Sequence, residues 1–230
     1  SANTRAFGRC QCGHHACSPS SRPWFACTAS LALTLDDKPL SQNYLDGSWL
    51  LIIFAGNDTT RNSLSGTIRL MTEFQSQRQM VVDDPSLIDR MSHEALRMTS
   101  PVMHMRRTAT EDTEIAGQRI AENEKVIMWY GAANRDPAVF PNPDVFDLTR
   151  KNVEKHVAFG HGVHRCLGNR IAQMQLRMAY ERILERFPNI HWTGKQKIEP
   201  IILVHAISSL KVNLYGKGAK RPVKVAMPNQ

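Results

Sequence analysis

The greatest chemical capacity in this sequence lies in one short loop, Phe159-Gly160-His161-Gly162-Val163-His164-Arg165-Cys166-Leu167-Gly168, where glycines deliver a lone cysteine to the first turn of a predicted helix. Amides at a helix start, the positive end of its dipole, and the adjacent His164 and Arg165 all favour a thiolate over a thiol. Such a sulfur serves as nucleophile, redox sensor or metal ligand, while a free cysteine is equally at home as a small buried core residue. Two further groups carry protons or charge. Ala55-Gly56-Asn57-Asp58-Thr59-Thr60 sets a carboxylate beside hydroxyls, which can relay protons or merely give a helix a wet face. Glu94 and Arg97 stand at helical spacing and pair either on a surface or in a core.

These groups need a scaffold, and periodicity outlines one. Residues 45–71 are densely apolar, then apolar at three- and four-residue intervals (Leu64, Ile68, Met71), which predicts a long helix largely buried in its first half. Asp84 caps a second helix that starts at Pro85, aligns Leu87, Met91, Ala95 and Met98 on one side, and stops at Pro101. Glu114 to Ile120 reads as two strand pieces around a glycine turn, and Lys125 to Tyr130 as another strand. A coil from Asn134 to Arg150, punctuated by Pro137, Pro141 and Pro143, is long enough to be functional or wrapped around something. A helix over Leu167 to Arg186 and a closing hairpin of Ile201–Val204 with Leu210–Leu214 complete a fold that is mainly α with small β-sheets.

Composition narrows the function classes. The 230 residues are 42% hydrophobic and 22% charged, which excludes disordered, collagenous and fibrous chains. The longest apolar run, Trp49 to Gly56, is far short of the ~20 residues that span a bilayer, and no export signal opens the sequence, so no membrane span and a cytoplasmic location are expected. Much of the net charge of +8 lies between Arg150 and Arg186. That stretch lacks interleaved aromatics, so an acidic protein partner or a solvated helix face accounts for it better than nucleic acid. Cys10, Cys12, Cys17 and Cys27, with His14 and His15, fit no paired zinc spacing, and residues 1–30 are left as an unassigned leader. Residues 215–230 form a basic tail.

Taken together and in this order, the motifs resemble the cytochrome P450 haem-thiolate monooxygenases. Phe159, Gly162, Cys166 and Gly168 match the family's F-x-x-G-x-x-x-C-x-G; Ala55, Gly56, Asp58, Thr59 and Thr60 match A-G-x-D-T-T; Glu94 and Arg97 match E-x-x-R. The resemblance covers about Leu35 to Leu214, assigning residues 31–214 to the C-terminal half of that fold. It implies haem b (iron protoporphyrin IX) with Cys166 as axial ligand of the iron, pushing electron density towards O2. It further implies that Phe159, Gly160, Gly162 and Gly168 lie against the porphyrin, that His164 and Arg106 meet the propionates, and that Ala55 and Gly56 make room for O2 while Asp58 and Thr59 relay protons. Glu94 and Arg97 would be a buried structural pair, completed in many relatives by an arginine in P-x-x-F. Here that pattern is Pro143-Asp144-Val145-Phe146, with valine at 145, so Arg135, Arg150 or His156 substitutes or the core is looser.

The activity this implies is insertion of one oxygen atom into an aliphatic C–H, with electrons from NAD(P)H through a ferredoxin reductase and a ferredoxin. Among family branches, the local sequence looks most like the bacterial medium-chain alkane and fatty-acid hydroxylases, with terpene and steroid hydroxylases next. Ile52, Ala55, Val102, Met103 and Ile207 are the substrate-facing candidates, suited to a small hydrophobic substrate. A haem-binding remnant without turnover is the alternative, and a cysteine hydrolase using Cys166 with His161 or His164 a more distant one.

Overall fold

The computed structural model describes residues 34–35 and 38–216; the cysteine-rich leader and most of the basic tail lie outside these. The chain divides into two compact units, 1–49 and 50–230. In the first, β1 (Thr34–Leu35) pairs antiparallel with β2 (Lys38–Pro39). Helix α1 (Gln42–Glu73) spans the division. The second unit continues with α2 (Gln75–Asp83), a 3-10 turn (Pro85–Leu87) and α3 (Ile88–Thr99). Four short strands follow, β3 (His104–Thr108), β4 (Thr113–Ile115), β5 (Gln118–Ile120) and β6 (Lys125–Trp129), with β3 paired to β6 and β4 to β5, both antiparallel. After the short helix α4 (Tyr130–Ala133) comes the proline-punctuated coil, then α5 (Asn169–Arg186) and the hairpin β7 (His191–Glu199) with β8 (Ala206–Asn213).

The core joins Leu70 and Met71 of α1, Met91, Ala95 and Leu96 of α3, Phe146 and Leu148 of the coil, and Leu176, Tyr180 and Leu184 of α5. The apolar spacing of α3 is what lets it sit centrally. Gly66 of α1 is required there, because a Cβ would collide with the Thr99 methyl of α3. Polar groups on the inner face of α1 are satisfied within the helix: the hydroxyls of Ser63, Thr67 and Thr72 donate to the carbonyls of Thr59, Ser63 and Ile68 at 2.8, 2.8 and 2.9 Å. The Tyr180 hydroxyl donates to Thr67 Oγ1, tying α5 to α1, and burial holds that phenol well above its ordinary pKa.

Three expectations are corrected. The burial of α1 is reversed: Leu50, Leu51, Ile52, Ile53 and Phe54 are 50–70% exposed, while the buried residues run from Asn62 to Met71. Apolar density marks a face that seeks cover, and the described residues cover only the second half of this helix. In the closing hairpin, Ile201–Val204 belongs to the connection, with Val204 bridged to Val102; the first strand is the polar stretch His191–Glu199, whose alternation is too weak to reveal it. Cys166 precedes α5 rather than entering its first turn, because the chain turns on Gly168 and becomes helical only at Asn169. The Asp84 cap is present, its carboxylate accepting the Ser86 N–H at 3.0 Å, although the turn it caps is 3-10.

Candidate functional site

Backbone geometry builds the cysteine loop. Gly160 and Gly162 adopt φ of +71° and +69°, the left-handed region that glycine enters without steric cost. Gly160 is also confined by space, since a Cβ there would lie 3.3 Å from the Tyr130 hydroxyl oxygen. The Cys166 N–H donates to the Phe159 carbonyl at 2.8 Å and closes the loop, while the Cys166 carbonyl accepts from the Asn169 side chain at 2.7 Å. The free Cys166 thiol is exposed, flanked by Val163 and Leu167 at 98% and 97% exposure. Phe159 is half-buried, packed against the core, and His164 is exposed in the 3-10 turn Gly162–His164.

A soft sulfur donor presented outward beside two bare aliphatic side chains fits a flat, apolar, iron-bearing group such as haem. Cys166 would hold the iron and Phe159 and the loop glycines would lie close to the ring. Arg106, exposed on β3, and His164 are cationic or protonatable groups suited to carboxylates.

On α1, Thr59 Oγ1 donates to the Ala55 carbonyl at 2.7 Å, leaving the oxygen able to accept a further hydrogen bond. Asp58 pairs with Arg61 at 3.0 Å, a partner three positions on along the helix that no motif marks out. A Cβ added at Gly56 would meet nothing within 4 Å. Of the substrate candidates, Ile52 and Ala55 are exposed on α1, Val102 and Met103 are half-buried, and Ile207 is buried, its N–H bonded to Asn62 Oδ1 at 2.8 Å.

Glu94 and Arg97 are fully buried and joined by two bonds of 2.8 Å, Nε to Oε2 and Nη2 to Oε1. The open question of the third partner resolves to Arg150, whose Nε reaches Glu94 Oε1 at 3.2 Å. Arg135 instead pairs with Asp144 and the Met98 carbonyl, and His156 turns to His93. The two arginines grip the coil by its backbone. Arg97 donates to the carbonyls of Asn134, Pro143 and Val145, and Arg150 to those of Pro141, Asn142 and Val145. Arg97 also lies 5.3 Å above the Phe140 ring. Because Arg150 is buried here, the basic surface is carried by Lys151, Lys155, Arg165, Arg170 and Arg186, with Arg177 and Arg182 exposed but paired to Glu181 and Glu185.

Just before the loop, His156 is buried between α3 and the cysteine segment, 3.2 Å from His93. Desolvation, then His93, Arg165 and Arg97, push its pKa down from 6.5 to about 4. The unfolded chain therefore takes up a proton at this group between those values while the folded chain does not. The sign follows: stability is undiminished above pH 6.5 and falls as pH drops towards 4, by up to about 1.4 kcal/mol per pH unit from this group. Urea midpoints at pH 7.5 and 5.0 measure it, and a His156→Asn variant should show a shallower decline than wild type.

The family model Cytochrome P450 matches residues 25–208. Linalool 8-monooxygenase of Pseudomonas putida is 39% identical over 183 residues, spanning 80% of this chain and 45% of that protein. Among solved structures, cytochrome P450-153 from Novosphingobium aromaticivorans has 44% identity and a TM-score of 0.69, covering 72% of this chain and 42% of the other. P450BioI in complex with hexadec-9Z-enoic acid ligated acyl carrier protein has 35% identity and a TM-score of 0.73, covering 77% and 46%. The chain thus spans less than half the length of these relatives. Among the described residues no helix is long and apolar enough to cross a membrane. With the cysteine loop, the Asp58–Thr59 helix and the buried Glu94–Arg97 pair in one order and one fold, the chain belongs to the cytochrome P450 family.

Proposed function

We propose that this chain is the C-terminal half of a haem-thiolate monooxygenase acting on an aliphatic C–H of a small hydrophobic substrate. The observation that carries the reading is the outward-facing Cys166, fixed by the bond from its own N–H to the Phe159 carbonyl. When bound, haem supplies the oxygen-activating chemistry. The chain's own residues do the rest. Cys166 binds through sulfur, Gly56 leaves its helix face open, and Thr59 holds a proton at Oγ1 that is directed at the Ala55 carbonyl in this arrangement. Asp58, restrained by Arg61, is the acid one residue away.

Medium-chain alkanes or fatty acids are the proposed substrates. The apolar character of Ile52, Val102, Met103 and Ile207 supports both, and the longer hexadec-9Z-enoic acid carried by the acyl carrier protein in the complex of one structural relative favours the fatty-acid class. Linalool, named in another relative, makes terpenes the competing class. The proposed electron source is NAD(P)H through a ferredoxin reductase and an acidic ferredoxin, drawn to Lys151, Lys155, Arg165 and Arg170. The test is the reduced, carbon-monoxide-treated full-length protein. A red-shifted thiolate-type Soret band supports the reading, and an imidazole-type band or a colourless protein refutes it.

Two further results are expected. In the full-length protein, Thr59→Ala diverts most reducing equivalents from product to peroxide, and unchanged coupling removes Thr59 from proton delivery. Raising salt from about 0.05 to 0.5 M slows ferredoxin-driven turnover severalfold, because exposed charges are screened beyond a Debye length of about 10 Å at 0.1 M. A rate indifferent to salt returns the basic residues to a solvated surface.

A further inference from the structure

Two imidazoles in contact, one of them buried, stand between the structural helix α3 and the start of the cysteine loop, and nothing in the proposed reaction uses them. His93 Nδ1 and His156 Nε2 are 3.2 Å apart, their rings tilted at 45° with centroids 5.4 Å apart. The Ala158 N–H donates to His156 Nδ1 at 3.2 Å. That bond settles the tautomer. A nitrogen that accepts has a lone pair, so neutral His156 carries its hydrogen on Nε2 and donates it to His93 Nδ1; His93 then carries its own on Nε2. The charged groups acting on His156 are Arg97 from α3 and Arg165 from the loop, with His93 beside it, and all oppose a positive imidazole. Beyond Ala158, the Phe159 ring lies 5.8 Å from His156, and the Phe159 carbonyl receives the Cys166 N–H.

We infer that His156 and His93 form an imidazole clasp that positions the cysteine loop: His93 on α3 holds the His156 ring, which sets the backbone at Ala158 and thereby the Phe159 carbonyl that fixes Cys166. The inference rests on Cys166 being the iron ligand. Both histidines are positioning residues, since neither contacts the sulfur. The neutral state of His156 is a consequence of its burial among cations, and the direction of its bond to His93 comes from one backbone amide.

The experiment uses the full-length, haem-loaded protein in its reduced carbonyl state with 15N-labelled histidine. Nitrogen shifts should show His156 with hydrogen on Nε2 and His93 Nδ1 as acceptor; hydrogen on His156 Nδ1 overturns the clasp. At pH 7, His156→Leu should convert from the thiolate-type to the thiol-type Soret band about tenfold faster than wild type, as expected when a buried hydrogen-bonding pair is lost. His156→Asn, whose Oδ1 can still accept from Ala158, should stay within about threefold of wild type. A wild-type rate for the leucine variant, or equal losses in both variants, overturns the inference. Should the leucine variant take up no haem, His93→Leu leaves the Ala158 bond in place and should convert about threefold faster than wild type; an unchanged rate overturns it. A wild-type protein without any thiolate-type band sinks the iron-ligand reading itself, whereas a band indifferent to these variants sinks only the clasp.

Discussion

Cys166→Ala in the full-length protein is expected to eliminate the thiolate-type Soret band of the reduced carbonyl complex and with it the proposed monooxygenation, while leaving the far-ultraviolet circular dichroism unchanged. The separation of the two effects follows from position. Cys166 is exposed, so its sulfur supports no core packing, and the bond that closes the loop uses its backbone N–H, which alanine retains. A full-sized loss of colour chemistry without loss of fold is therefore expected. His161 and His164 are exposed in the same loop, so any haem retained by the variant should show the band of an imidazole-type ligand. A thiolate-type band that survives Cys166→Ala refutes the assignment, because the sulfur it reports would then belong to another cysteine.

Arg97→Met produces the largest expected loss of stability. It leaves the Glu94 carboxylate fully buried with only the 3.2 Å contact from Arg150 Nε and the 3.1 Å bond from the Asp147 N–H to compensate it. Removing one partner of a buried ion pair costs about 3–5 kcal/mol, against a total of about 5–15 kcal/mol for a typical domain. Three carbonyls lose a donor at the same time. Arg97→Lys should rescue little, since an ammonium has no planar fork to reach two carboxylate oxygens and two separate strands of coil. Arg150→Met should cost less than Arg97→Met, because Glu94 keeps both of its 2.8 Å bonds to Arg97. Urea unfolding of the three variants measures the order, and equal stability of wild type and Arg97→Met contradicts it.

What can be read from the residues in order is local. The glycine-framed cysteine, the Asp84 cap and the β4–β5 turn each depend on a few adjacent side chains, and the fold contains them. The Glu94–Arg97 pair is legible from spacing, yet its third member is not, because Arg150 arrives from 56 positions away and no pattern ranks it above Arg135 or His156. Strand His191–Glu199 is hidden because Thr193, Lys195, Lys197 and Glu199 make one side polar while Gly194 and Gln196 interrupt the other, leaving only Trp192 and Ile198 as apolar markers. The first half of α1 misleads for the opposite reason. Its run Leu50–Phe54 is as apolar as any core segment, and hydrophobicity records a demand for cover without stating what supplies it.

Between Pro141 and Val145 the coil is gripped by its carbonyl oxygens, with Phe140, Phe146 and Leu148 buried on either side, while Val145 and Asp144 are exposed, away from the two guanidinium groups that hold it. A clamp of this kind is blind to side-chain identity. Mutations at positions such as 139, 144 and 145 can accumulate over evolutionary time without shifting the path of the chain, whereas Asn142, at a φ of +51°, is held to residues that tolerate a left-handed backbone.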